Sequence, residues 1–91
     1  MFIKTISPFV FEENMFYMTY YFTPRIRTII GNRIKKIRKI RKLKQVEVAV
    51  DAGLNPSYYG KIERGLVNSS LEKFYRILKA LNINSKEILP F

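Results

Sequence analysis

The chain has 91 residues, 47% of them apolar, and it contains no cysteine and no histidine. A chain of this length forms one small domain with one hydrophobic core. The missing residue types exclude a disulfide framework, the commonest zinc ligands and a side chain that titrates near neutral pH. We therefore expect no metal, no cofactor and no enzymatic activity, and the lack of cysteine fits a cytoplasmic protein.

Basic side chains are concentrated in one part of the chain. The net charge is +10, and residues 25–44 include ten Lys or Arg and no acid. Such a run favours a polyanionic partner. DNA, RNA and an anionic membrane surface all satisfy this condition. The alternative to a polyanionic partner is that these residues only form a well-solvated basic helix face.

Residues 1–24 differ in composition from the rest of the chain, because they hold five of the seven Phe and three of the six Tyr. Pro8 and the pair Glu12–Glu13 interrupt the apolar run, which argues against a signal peptide, and no apolar stretch approaches the ~20 residues that cross a bilayer. Three interpretations stay open: a strand or hairpin around residues 15–22, a disordered arm, or a non-native segment upstream of a start at Met15 or Met18. We predict an aromatic extension over 1–24 and a domain over 25–91.

Helical spacing begins at Arg25. Isoleucines then recur every three or four residues, which predicts an amphipathic helix of about three turns. The residues of this stripe are Ile26, Ile30, Ile34, Ile37 and Ile40. A second helix is predicted from Gln45 to Ala52, ended by Gly53 in a left-handed conformation.

A third helix is predicted to begin at Asn55, which is a good N-cap, with Pro56 in the first helical position. Gly65 ends it. Ser69 or Ser70 caps a fourth helix that stops near Asn82 and Asn84, and Ser85 starts a last turn. The apolar residues of this C-terminal part are Leu71, Phe74, Ile77, Leu78, Leu81, Ile88 and Leu89. The prediction is an all-α domain of four or five short helices.

The segment from Gln45 to Arg64 has the spacing of a helix-turn-helix, because two short helices and a tight turn fit within it. Two helices that cross steeply need small residues where they touch and larger apolar residues around the contact. The sequence supplies such a set, with Ala49 as the small member: Val48, Ala49, Ala52, Leu54, Tyr59 and Ile62.

At this point the chain resembles the Cro/repressor-type, XRE-like helix-turn-helix family of phage and bacterial regulators. The resemblance covers roughly 31–89 and rests on IKKIRK, LKQVEVAVDAGL, YYGKIERG and NSSLEKFYRILKALNI. Within the family, GLNPSYYGKIERGLVNSSL is most similar to the controller proteins of restriction–modification systems. The resemblance implies five helices, a homodimer, and a third helix, about residues 55–64, inserted into the major groove of an operator.

The resemblance also implies roles for individual residues. Gln45 contacts a DNA phosphate, and Arg64 and Asn68 hold phosphates at the end of the third helix and in the following loop. Pro56, Ser57 and Lys61 occupy base-reading positions. The DNA-binding candidates are Gln45, Asn55, Pro56, Ser57, Tyr58, Lys61, Arg64 and Asn68.

The family pairs Arg38 with Glu63 across the first and third helices, which implies a structural salt bridge here. Three positions depart from the family pattern. Lys42 replaces the frequent Gly after the first helix, Lys44 replaces Ser or Thr before the second, and Ser69 replaces Pro before the fourth. The first two weaken local caps and add positive charge near the DNA.

The sequence favours two possible functions of the protein, which belong to different classes. The first is a dimeric, sequence-specific regulator that binds double-stranded DNA, with a dimer surface around Ile88, Leu89 and Phe91. The alternative is an antitoxin-like interaction module that captures a partner through residues 1–24 and represses its own promoter. Binding to a membrane is disfavoured, because the basic helix needs its isoleucine stripe for the core.

Overall fold

The computed structural model describes residues 22–90. The expectations for residues 1–21 and for Phe91 therefore lie outside the described residues. Within 22–90 the chain contains four α-helices, one 3-10 helix and no strand, which confirms the all-α prediction. The elements are α1 Pro24–Ile40, α2 Gln45–Asp51, α3 Pro56–Glu63, α4 Leu71–Leu81 and a 3-10 helix at Ser85–Glu87.

Helix α1 is longer than the three turns predicted, since it has 17 residues and begins one residue earlier, at Pro24. Thr23 is its N-cap, and the Thr23 hydroxyl accepts a hydrogen bond from the Ile26 N–H at 3.3 Å. Pro24 suits the first helical position because it has no N–H to satisfy. Thr23-Pro24 is thus the same start signal as Asn55-Pro56, and only the second was recognised from the sequence.

All four α-helices end with the same backbone geometry. A residue with positive φ follows each helix: Lys42 (59°), Gly53 (69°), Gly65 (72°) and Asn82 (56°). The next N–H then bonds back to a carbonyl inside the helix, as in Leu54 N to Ala49 O at 2.8 Å. This is the Schellman arrangement, and it lets the short helices turn sharply while their last carbonyls stay bonded.

The core lies where all the helices meet, and every helix contributes to it. The six residues predicted to join α2 and α3 are all buried, which confirms that part of the helix-turn-helix prediction. The buried apolar residues are Ile30, Ile34, Val48, Ala49, Ala52, Leu54, Tyr59, Ile62, Ile77, Leu78, Leu81 and Ile88.

Three apolar residues lie elsewhere than predicted. Ile40 is 69% exposed, because a residue six positions after Ile34 lies about 120° around the helix from it, away from the core. Leu71 is 82% exposed at the first position of α4, so it does not join the core. Ile88 is fully buried in the core of this chain, so it is not available to a dimer surface.

Gly31 brings α1 and α3 into backbone contact. A Cβ at this position would lie 2.5 Å from the carbonyl oxygens of both Ile62 and Glu63. No larger residue fits without moving one helix. The close contact fixes the end of α3 against α1, and it therefore sets the orientation of α3 in the fold.

Candidate nucleic-acid interface

Helix α3 begins at a well-formed cap. The Asn55 side-chain oxygen accepts hydrogen bonds from the N–H groups of Ser57 (2.8 Å) and Tyr58 (3.1 Å). Pro56 occupies the first helical position, as predicted from the sequence. The side-chain oxygen of Asn55 thus caps the start of α3. The N–H groups of the same side-chain amide remain available to an outside partner.

The outer face of α3 carries an exposed row of polar and basic side chains. Ser57, Lys61 and Arg64 are exposed and follow each other at spacings of four and three, so they lie on one side of the helix. The opposite side holds Tyr59 and Ile62, both buried in the core. Pro56 and Asn68 are also exposed, one at each end of this row.

Tyr58 is not part of the exposed row. Its ring is half-buried and packs against the edge of the core. The ammonium nitrogen of Lys73 on α4 lies 4.7 Å from the ring centroid, within the range of a cation–π contact. The structure therefore separates Tyr58 from the other candidate base readers of α3.

Arg38 and Glu63 form a buried ion pair between α1 and α3. Arg38 Nε donates to one Glu63 carboxylate oxygen at 2.6 Å and Nη2 to the other at 3.1 Å. Arg38 Nη1 also donates to the Leu43 carbonyl at 2.8 Å. The two side chains are 8% and 1% exposed, so the pair ties the end of α3 to α1 away from water.

Gln45, the first residue of α2, joins the same network. Its Nε2 donates to a Glu63 carboxylate oxygen at 2.9 Å, and the side chain is half-buried. Glu63 therefore receives hydrogen bonds from α1 and from α2 while it belongs to α3. One carboxylate therefore connects three helices. It lies at the end of α3 and is bonded to α1 and to the first residue of α2.

The pKa shifts follow from this arrangement. Burial alone would raise the pKa of Glu63, but hydrogen bonds from Arg38 and Gln45 hold it below its ordinary value. The Glu63 hydrogen bond raises the pKa of Arg38. Burial, with the Glu63 charge nearby, raises the pKa of Tyr59, whose hydroxyl makes no hydrogen bond to any described residue. Glu63 and Arg38 are therefore both charged at neutral pH.

Three arginines of α1 and Arg41, which follows it, donate hydrogen bonds to other parts of the fold, although Arg33 and Arg41 remain exposed. Arg27 donates to the Gly65 carbonyl and Arg33 to the Ile88 carbonyl, each at 3.3 Å, and Arg41 donates to the Leu81 carbonyl. With Arg38, four arginines thus bond to groups at the C-terminal ends of helices, where carbonyl oxygens lack helical partners.

The other basic residues of this region remain available to a partner. They are all exposed, and five of the six are lysines: Arg25, Lys35, Lys36, Lys39, Lys42 and Lys44. Arg33 and Arg41 are exposed as well, so the predicted attraction to a polyanion rests on eight exposed cations of this region together with Lys61 and Arg64 of the exposed row.

Among residues 22–90 no three Asp or Glu side chains cluster in a way that suits a metal ion. No helix in the same range is long and apolar enough to cross a membrane.

Known proteins share this arrangement. The family model described as helix-turn-helix matches residues 34–88. Control protein C.BamHI of Bacillus amyloliquefaciens is 34% identical over 70 residues, which cover 76% of this chain and 86% of that protein. The chain belongs to the XRE-type helix-turn-helix family.

Two further relatives of this XRE-type protein come from different sources. The immunity repressor protein of Bacillus phage phi105 is 45% identical over 60 residues, which cover 66% of this chain and 42% of the repressor. The crystal structure of the restriction–modification controller protein C.AhdI from Aeromonas hydrophila has a TM-score of 0.66 at 34% identity, covering 68% of this chain and 94% of that one. The family resemblance seen in the sequence is therefore confirmed.

Sequence reasoning missed two features of this XRE-type domain that position α3. Gly31 was passed over, although an isolated glycine within a helical pattern signals a close backbone contact. The use of four arginines as hydrogen-bond donors within the fold was also missed. Its sequence signal is weak, because the carbonyls that the arginines bind lie up to 55 residues away along the chain.

Proposed function

We propose that this protein is a transcription regulator that binds a double-stranded DNA operator as a homodimer, with α3 in the major groove. The observation that carries the proposal is the exposed row of Ser57, Lys61 and Arg64 on a helix whose opposite face is fixed by the buried Arg38–Glu63 pair. A rigid helix with polar side chains on its outer face suits base reading, because base edges are read by side chains held in register.

The roles of the side chains follow from their chemistry. Lys61 is long enough to reach the O6 and N7 atoms of a guanine, and Ser57 can donate to or accept from a base edge. Pro56 offers only an apolar contact, such as one with a thymine methyl group. These three residues are the proposed base readers.

Gln45, Arg64 and Asn68 are the proposed phosphate contacts. Gln45 uses one amide hydrogen on Glu63 and keeps the second for an outside acceptor. Arg64 and Asn68 are exposed at the end of α3 and in the loop that follows. Phosphate contacts fix the register of the protein on the duplex and carry no base information themselves.

A homodimer is proposed because one copy of α3 reads too few base pairs. Two copies on half-sites about 34 Å apart double the recognised length and require a two-fold symmetric surface. Ile88 is buried and Phe91 lies outside the described residues, so Leu89 is the described residue of the predicted surface that stays available. It lines a groove of about 310 Å³ with Val67, Leu71 and Phe74, and the exposed Leu71 extends the apolar area.

Selection of bound sequences from a random DNA pool with the purified chain tests the proposal. We expect a palindromic motif whose half-sites are about one helical turn apart. Sedimentation of the complex should then give two chains for each duplex. Enrichment without a shared motif would contradict base reading, and a single unpaired half-site would contradict the dimer.

A further inference from the structure

An apolar groove lies between the N-terminal parts of α1 and α4. Its volume is about 310 Å³, and Phe22, the first residue that the structure describes, forms part of its wall. Phe22 and Leu71 are 52% and 82% exposed, so this apolar surface is not covered by residues 22–90. Uncovered apolar area of this kind marks a surface for an apolar partner. The other apolar residues of the wall are Ile30, Ile62, Val67, Phe74 and Leu89.

The polar residues of the wall are partly used within the fold. Arg27 donates a hydrogen bond to the Gly65 carbonyl at 3.3 Å, and the Ser70 hydroxyl accepts one from the Lys73 N–H at 3.2 Å. Recognition of a hydrophilic small molecule needs several polar groups that converge on it. The groove therefore suits an apolar occupant better than a polar ligand.

The chain supplies such an occupant next to the groove. The seven residues before Phe22 are MFYMTYY, residues 15–21, which contain one Phe, three Tyr and no charged side chain. Thr23, the N-cap of α1, has an extended backbone with φ −86° and ψ 166°. At about 3.3 Å per residue, seven extended residues span about 23 Å. The segment thus starts at the wall of the groove and is long enough to cross it.

We propose that residues 15–21 pack into this groove of their own chain, so that the aromatic segment is part of the folded domain. Side chains alternate along an extended chain, so Phe16, Met18 and Tyr20 share the side of Phe22 that lines the groove. The short connection favours the same chain, because it gives the segment a local concentration on the order of mM, far above that of a second copy in dilute solution.

The proposal goes beyond DNA binding, and it has two consequences for the rest of the molecule. A second copy in the proposed dimer meets a groove that is already covered, so the aromatic segment becomes part of the surface that it contacts. A segment held in this way is also not free to capture another protein. The antitoxin-like alternative requires it to be free.

Disulfide trapping tests the proposal in the full chain, which has no cysteine of its own. Met18→Cys is combined with Leu71→Cys or, as the matched control, with Leu66→Cys. The two leucines are five positions apart and both exposed, but Leu71 lines the groove and Leu66 does not. A disulfide needs Cα atoms within about 7 Å. We therefore expect the pair with Leu71→Cys to form an intrachain bond at least about tenfold faster than the control pair.

Gel mobility and mass separate the possible products. Equal rates for the two pairs would overturn the placement of the segment in the groove. A disulfide-linked dimer as the main product would overturn packing within one chain and assign the groove to the segment of a second copy. The assay contains no DNA, so a failure of the proposed DNA binding would not change these outcomes.

Tryptophan fluorescence gives a second measurement, because the chain contains no tryptophan. Met18→Trp should emit at a shorter wavelength than tryptophan in water. Leu71→Asp adds a charge at the groove and spares α4, since an acidic residue suits the first turn of a helix. We expect it to shift the emission to longer wavelength at an unchanged Tm, whereas Leu66→Asp should cause no shift. Emission typical of water in Met18→Trp itself, or equal shifts for the two Asp variants, would overturn the proposal.

Discussion

Glu63 and Arg64 are neighbours in the sequence, and their charges have opposite uses. Glu63 is 1% exposed and receives hydrogen bonds from Arg38 and Gln45. Arg64 is exposed and pairs with no carboxylate among the described residues. The inner face of α3 therefore serves the stability of the fold, whereas the charge on its outer face has no carboxylate partner among the described residues.

The basic residues in and just after α1 show a division by residue type. Four arginines donate hydrogen bonds to groups within the fold, while the lysines are exposed. Arginine suits the inner role because its guanidinium donates several hydrogen bonds in fixed directions. Lysine suits the outer role because a strongly hydrated charge on a flexible stem contacts phosphates without a defined geometry. Arg38 is buried and Arg27 is half-buried, whereas Arg33 and Arg41 remain exposed beside the lysines.

The largest expected effect comes from breaking the inner face. Glu63→Ala leaves the charge of Arg38 buried without a partner, and losses of about 3–5 kcal/mol in the free energy of unfolding are typical of such a change. DNA affinity should fall as well, because α3 loses its attachment to α1 and α2. Urea unfolding followed by circular dichroism measures the first effect, and anisotropy with operator DNA measures the second.

Glu72→Ala is the matched control for that experiment. Glu72 pairs with Arg76 one turn along α4, and both side chains are largely exposed. Exposed pairs of this spacing contribute about 0.3–0.5 kcal/mol. An equal loss for the two variants would show that burial of the Arg38–Glu63 pair does not matter, and an unchanged Tm for Glu63→Ala would refute the role of the pair.

Acid should weaken the same inner face. The pKa of Glu63 lies lower in the folded chain than its ordinary value of 4.5, so folding favours the ionised carboxylate. Its contribution is complete above that ordinary value and is lost as the pH falls through the lower, folded value. The groups around this carboxylate are Arg38, Gln45 and Tyr59, and the arginine stays charged throughout.

The urea midpoint, measured at several pH values from neutral to acid, checks this expectation. Glu63→Gln keeps the shape of the side chain and removes its titration. The midpoint of this variant should start lower and fall less steeply with acid than that of the unaltered chain. Parallel curves for the two proteins would show that another group causes the acid sensitivity.

The outer face should respond to substitution in a different way. Lys61→Ala removes a proposed base reader from an exposed position, so the free energy of unfolding should hardly change. Discrimination between the operator and a duplex altered at the contacted base should fall by about 1–3 kcal/mol. Competition binding with the two duplexes measures this difference.

Gln45→Ala sharpens the contrast within the proposed interface. We expect it to weaken binding to all duplexes alike, since phosphates carry no base information. Uniform losses for both Lys61→Ala and Gln45→Ala would remove the distinction between base reader and phosphate contact. The outer face would then be only a source of positive charge.

The sequence predicted the parts of this fold that depend on local rules. Asn55, Pro56, Gly53 and Gly65 act within a few residues of themselves, so their caps and turns were found from spacing alone. The buried set between α2 and α3 follows from helical periodicity for the same reason. Thr23-Pro24 obeys the same rule, but it was overlooked because the aromatic residues before it suggested a strand.

Features that depend on distant contacts were harder to predict. Nothing near Gly31 in the sequence shows that carbonyls of α3 lie against it, and nothing near Ile88 shows that the core encloses it. The residues of the exposed row of α3 were named as candidates from the family resemblance, and the helix period explains why they share one face. The separation of Tyr58 from that row was not, since it depends on Lys73 of another helix.

The smallest expected effect concerns Lys42, which affects both the stability of the fold and the charge available to DNA. Its φ of 59° is left-handed, a conformation that costs a residue with a Cβ about 1 kcal/mol or more relative to glycine. Its ammonium group is exposed and adds to the charge available to DNA. Lys42→Gly should therefore raise the free energy of unfolding by about 1 kcal/mol while it lowers DNA affinity slightly.

Lys42→Ala separates the two contributions, because alanine removes the charge and keeps the strain. If both variants lose the same DNA affinity and only Lys42→Gly gains stability, the strain and the charge act independently. This result would explain why a lysine occupies a position that the helix end makes favourable for glycine: the side chain costs stability at the end of α1 and contributes attraction to DNA. Equal stability of the two variants would mean that the left-handed turn carries no strain, and retained affinity would remove Lys42 from the outer face.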